Sequence, residues 1–198
     1  ARNLGSFLAQ YIAGPIERFS VKYCGSVLDH PTEPITTAAV IGFLSAQTES
    51  GEINYINAPF FMKQRGVEIV ESRSSELFGY ANLITLEGHR PGGEKVVVSG
   101  TLFARHKPRI VILNDKHFDA LPEGTLVVVD NQDVPGVIGA VGTLFGKHNI
   151  NIAHMSWGRS APGGDAVTLL NCDQNVTPQA LEELAKIKQV RAVRKIQL

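Results

Sequence analysis

No apolar run in this 198-residue chain reaches the roughly 20 residues needed to cross a bilayer as a helix. The opening residues, Ala1-Arg2-Asn3-Leu4, lack the basic, apolar and small-residue zones of a secretory signal. Cytoplasmic residence with no membrane partner is the expectation. The missing initiator methionine suggests a piece of a longer polypeptide. Net charge is absent too: 19 basic residues balance 19 acidic ones, so no field draws the chain to nucleic acid or an anionic surface. Cysteine is scarce. Cys24 and Cys172 stand far apart within apolar runs and read as buried free thiols of a reducing compartment, a disulfide being the alternative.

Catalytic signatures are also lacking. No G-x-G-x-x-G follows a strand. The glycines 136, 139, 142 and 146 recur at helical spacing, which clears a helix face for close approach of another backbone instead of forming a dinucleotide loop. Gly142-Thr143-Leu144-Phe145-Gly146-Lys147 falls one residue short of a P-loop. No histidine pair has the i, i+4 spacing of a zinc site, and no cysteine stands at ligand spacing. No nucleophile sits in a recognisable elbow. No catalytic residue, metal or resident cofactor is assigned to the chain.

The C-terminal part is the most regular. Thr125–Asp130 is a β-branched run that suits a buried strand. A polar turn and Pro135-Gly136 follow, with the proline expected in the first helical turn. Val137, Ile138, Val141, Leu144 and Phe145 then recur at helical spacing. Asn151–Trp157 reads as a strand with Ala153, Met155 and Trp157 on one face. Ala161–Asp165 is turn chemistry, Ala166–Cys172 a further strand, Thr177-Pro178 a capped helix start, and Val190–Leu198 a closing strand. This order, β-α-β-β-α-β, is the ferredoxin-like arrangement.

Residues 1–121 read as a mixed α/β domain with a mainly antiparallel sheet, making the chain α+β overall. Helices are expected at Leu4–Ile12, Thr36–Gln47 and from Asn57 to about Gln64. Strands are expected at Glu17–Tyr23, Val67–Ser72, Ala81–Leu86, Lys95–Phe103 and Pro108–Leu113. Pro91-Gly92-Gly93 signals a hairpin. The stretch Asp119–Gly124 reads as the junction, giving domains at 1–121 and 122–198.

Two places are candidates for a ligand. At the 136–147 helix, N-terminal N–H groups and the helix dipole suit a carboxylate. Asp133 beside them suits an ammonium group, and Asn131 and Asn151 can donate and accept. Asn151 is expected to face Asp133 across a paired subunit. The competing reading makes Asp133 a helix cap and Asn131 a turn former. The second candidate is basic: Lys63 and Arg65 together with Arg105, His106, Lys107 and Arg109, an anion or phosphate site by virtue of the arginine forks, or else a solvated hairpin.

The segment Asn131-Gln132-Asp133-Val134-Pro135-Gly136-Val137-Ile138, with Asn149-Ile150-Asn151-Ile152, resembles the ACT domain of D-3-phosphoglycerate dehydrogenases. Ser99-Gly100-Thr101-Leu102-Phe103 and Pro108-Arg109-Ile110-Val111 resemble the end of that family's intervening, allosteric substrate-binding domain. The resemblance implies a regulatory fragment of a serine-biosynthesis enzyme. It implies ACT domains paired as homodimers and an amino-acid effector, L-serine, at their interface. The effector contacts then fall on Asp133 and Asn151, within a motif of Asn131, Val134, Gly136, Val137, Ile138 and Ile152. It implies an NAD-dependent oxidoreductase as the parent, with the catalytic and NAD-binding domains absent here. Asn131 departs from the histidine or tyrosine frequent at that place, which leaves effector identity open, and an oligomerisation module without effector binding is the alternative. A second alternative, the small subunit of iron–sulfur L-serine dehydratase, carries a Gly-Pro-Ser-Ser-Ser-His stretch; here Gly14-Pro15 leads into Ile16-Glu17.

Overall fold

The computed structural model describes residues 1–48, 53–76, 78–104 and 107–198. It divides into two compact units, Ala1–Asn114 and Asp115–Leu198.

The first unit opens with helix α1 (Arg2–Ile12) and strand β1 (Arg18–Gly25), then a short 3-10 turn at Ser26–Asp29, helices α2 (Glu33–Ser45) and α3 (Ala58–Gln64), and strands β2 (Glu68–Ser74), β3 (Asn82–His89), β4 (Lys95–Phe103) and β5 (Lys107–Leu113). The strand order is β2-β1-β3-β4-β5. Only β1 and β2 run parallel; the other pairs are antiparallel. Alternation of Phe19, Val21 and Tyr23 buries one face of β1, and Phe19 meets Phe43 of α2 edge-on at 5.3 Å. Helices α1 and α2 cross where both lack side chains. A Cβ on Gly5 would lie 1.9 Å from the Ala39 carbonyl oxygen, and one on Gly42 would lie 1.9 Å from that of Arg2. Only glycine permits this approach.

The second unit contains strands β6 (Lys116–Ala120) and β7 (Thr125–Gln132), helix α4 (Val137–Lys147), strands β8 (Ile152–Arg159) and β9 (Asp165–Cys172), helix α5 (Pro178–Ala185) and strand β10 (Val190–Gln197). From β7 onward this is the expected β-α-β-β-α-β order, with an antiparallel sheet arranged β10-β7-β9-β8. Its helical face closes over Val127, Val129, Val141, Phe145, Leu170, Ala180 and Leu184. Thr177 caps α5, its hydroxyl accepting from the Ala180 N–H at 3.3 Å. Cys24 and Cys172 are buried free thiols, and burial pushes the Cys172 thiol up to about 11.

Three details differ from the sequence expectation. The compact units part at Asn114/Asp115, ahead of the stretch read as a junction, because Lys116–Ala120 is a strand against β8. The Asp119 carbonyl there accepts from Ser156 Oγ and lies 3.2 Å from His154 Nε2. Pro135 precedes α4 instead of lying in its first turn, because Gly136 adopts φ 94° and cannot continue a helix. A β-bulge at Ala153 puts Ile152 with Met155 and Trp157 on the core face and leaves Ala153 exposed. Among the described residues no helix is long and apolar enough to cross a membrane.

Candidate ligand-binding site

The site begins where β7 ends. Asn131 points into the core at 1% exposure. Its Nδ2 donates to the Gln132 carbonyl at 2.9 Å and its Oδ1 accepts from Thr168 Oγ1 at 3.1 Å. Its amide is thus used at both ends in holding the strand end, and Asn131 supports the site without opening into it. The chain then turns outward, with the Asp133 N–H donating to the Gly164 carbonyl at 2.9 Å and the Val134 N–H to that of Gln132 at 3.0 Å. Helix α4 starts at Val137 with no side-chain cap. Asp133 therefore does not cap it, and the capping alternative falls. Its Oδ2 instead accepts from Arg159 Nη1 at 2.7 Å and from the Gly163 N–H at 3.2 Å. The Arg159 guanidinium holds the Asp133 carboxyl below the usual carboxylate range.

Asp133, Val134, Pro135, Gly136, Ile138, Trp157, Arg159, Pro162 and Gly163 line an open cleft of about 540 Å³. Ile138 is half exposed at its rim, whereas Val137 turns into the core. Arg159, Trp157 and the Pro162-Gly163 turn were missed by sequence reasoning. Pairing carries the signal for them: Ala166 of β9 stands opposite both Asn131 of β7 and Arg159 of β8. The tight Ser160–Gly164 turn thus brings Arg159 back beside Asp133.

The same pairing separates Asn151. Ile152 is level with Cys172, which is level with Thr125, at the start of β7. Asp133 follows the end of β7, so the eight residues of β7, about 26 Å, lie between the two within one chain. Asn151 donates from Nδ2 to Asp173 Oδ2 at 2.6 Å, and its N–H donates to Gln174 Oε1 at 2.7 Å. Ile152 packs beneath α4.

The basic set does not converge either. Arg65, at the end of α3, donates to Gln47 Oε1 at 3.1 Å and Thr48 Oγ1 at 2.7 Å, and Lys63 lies exposed on α3. Arg109 of β5 donates from Nη1 to the Pro108 carbonyl at 2.9 Å and stands 5.9 Å over the Phe103 ring; Lys107 begins the same strand. In the order β2-β1-β3-β4-β5, strands β2 and β5 stand four spacings or about 19 Å apart. Lys63 and Arg65 belong to α3 and its C-terminal cap, which lead into β2, and Lys107 and Arg109 to β5. Arg105 and His106 lie outside the described residues.

Comparison with known proteins decides the family. The model of the D-3-phosphoglycerate dehydrogenase intervening domain matches residues 1–114. The chain belongs to this family. An ACT domain model matches residues 125–189, the unit that holds the cleft. The chain is 34% identical over 200 residues to D-3-phosphoglycerate dehydrogenase of Bacillus subtilis, covering 100% of this chain and 37% of that protein. The enzyme of Methanocaldococcus jannaschii is 35% identical over 199 residues, with the same coverage. That of Synechocystis is 30% identical over 192 residues, covering 96% of this chain and 34% of that protein. The chain thus spans just over a third of the length of these relatives and corresponds to their C-terminal regulatory part, an intervening domain followed by an ACT domain.

Proposed function

We propose that this chain is the regulatory part of a D-3-phosphoglycerate dehydrogenase of serine biosynthesis, and that its ACT domain binds a small amino acid, L-serine. The observation that carries this reading is a charged carboxylate, Asp133, beside a helix N-terminus that no side chain caps, both in one open cleft. A zwitterion suits that pairing, its ammonium drawn to Asp133 and its carboxylate to the positive end of α4. Asn151 reaches such a ligand only from a second copy, because one chain holds it about 26 Å or more from Asp133. The reading therefore includes ACT domains paired as homodimers. NAD binding and oxidation of a phosphorylated substrate belong, in this reading, to the part of the parent polypeptide that the chain does not match. Effector binding there favours one of two arrangements of the parent by a coupling of about 1–3 kcal/mol.

The test is a melting curve. A ligand present at a hundred times its dissociation constant stabilises by about 2.7 kcal/mol, so millimolar L-serine raises the melting temperature. Asp133→Ala removes the shift without changing the fold. An unchanged curve with serine, glycine and other small amino acids counts against the reading. One observation favours a second reading, an oligomerisation module without an effector: Asp133 is already paired with Arg159 inside the chain. A stable dimer in sedimentation that gives no heat with any small amino acid supports that alternative.

A further inference from the structure

The Asp133–Arg159 pair leaves chemistry unspent. Asp133 uses a single oxygen, Oδ2, for both Arg159 and the Gly163 N–H. Its other oxygen has no partner among the described residues. Arg159 uses Nη1 alone, so its Nε and Nη2 edge has none among the described residues. The Arg159 side chain is 52% exposed and that of Asp133 16%. An anionic acceptor and a cationic donor edge therefore stand side by side, walled by Trp157, Ile138 and Pro135.

We infer that Arg159 determines specificity in this cleft by receiving, together with the N-terminus of α4, the α-carboxylate of the ligand while Asp133 receives its ammonium. The inference rests on the reading of the ACT cleft as an amino-acid site. Ammonium and carboxylate share one carbon in an α-amino acid, so both reach neighbouring partners at once. The guanidinium fork matches a carboxylate with parallel donors. A simple amine takes the free Asp133 oxygen and leaves the second donor edge of Arg159 unfilled. A simple carboxylate takes that edge and leaves the Asp133 oxygen unfilled. A zwitterion fills both, and discrimination follows from the charge-assisted hydrogen bonds that each incomplete ligand leaves unmade. The resting ion pair keeps the two groups aligned between binding events.

The experiment is calorimetric titration of the 198-residue chain with L-serine, ethanolamine and lactate, on wild type, Arg159→Gln and Arg159→Lys. Wild type is expected to bind serine at least about tenfold more tightly than either incomplete ligand. Arg159→Gln weakens serine about tenfold or more while ethanolamine is held as well as before or better. Arg159→Lys, which keeps the charge and loses the fork, falls between. Ligand-free melting curves establish that each variant folds, and if the glutamine variant does not, the lysine variant decides by the same loss. Wild type binding serine, with Arg159→Gln binding it equally or more tightly, overturns the inference and makes Arg159 a plug of the cleft. Wild type binding no amino acid overturns the amino-acid-site reading beneath it.

Discussion

The two ends of α4 are closed to different degrees. At the C-terminal end the chain supplies partners of its own. The His148 N–H donates to the carbonyls of Leu144 and Phe145, and Asn149 turns the chain at φ 53° so that the Ile150 N–H reaches the Phe145 carbonyl at 2.9 Å. Glu183 of α5 accepts from Lys147 at 2.9 Å and lies 3.2 Å from His148 Nε2. Lys147 also suits the negative end of the helix. At the N-terminal end Gly136 brings no side chain, no cap is supplied, and the nearest carboxylate turns to Arg159. The N-termini of α1, α2 and α3 also lack a side-chain cap, so it is the cleft beside the start of α4, and not the missing cap, that sets this end apart.

The largest break in this comparison comes from a core residue of α4 itself. Phe145 is 1% exposed within the core under α4, and Phe145→Ala is expected to lower unfolding free energy by about 3–5 kcal/mol in urea titrations, taking the cleft and the C-terminal clasp together. A smaller effect, of opposite sign, sharpens the reading of the outer face. A Cβ on Gly139 would meet nothing within 4 Å, so Gly139→Ala raises the stability of the lone chain by about 0.5–1 kcal/mol. If a second copy covers that face closely, sedimentation shows the same substitution weakening self-association.

The smallest effect isolates the closed end. Lys147 first, then His148, hold the Glu183 carboxyl down from its ordinary 4.5 to about 2. A folded value below the unfolded one contributes stability above the unfolded value and loses it as pH falls toward the folded one. The stability difference between wild type and Glu183→Gln should be constant above pH 4.5 and vanish as pH drops to about 2. A difference that grows on acidification contradicts the clasp.

Much of this was legible in the chain. The β-branched run of β7, the helical spacing of α4 and the Thr177-Pro178 start reflect local periodicity and capping, and the second unit's order follows from them. The short strand β6 was not legible: Lys116–Ala120 has too few residues to show a period, and its place depends on Ser156 and the Asp119 carbonyl. The bulge at Ala153 hid for a related reason, since one extra residue reverses an alternation that sequence alone continues. In the site, Asp133 and Gly136 could be read from the helix start. Arg159 could not, because strand pairing alone brings it across from β8.

The most direct measurement is a crystal structure of the chain grown with saturating L-serine. The account predicts density for the amino acid in the cleft, its ammonium on Asp133, with Asn151 of a second copy closing over it. A cleft that stays empty while Arg159 still holds Asp133, or serine density settled elsewhere, contradicts it.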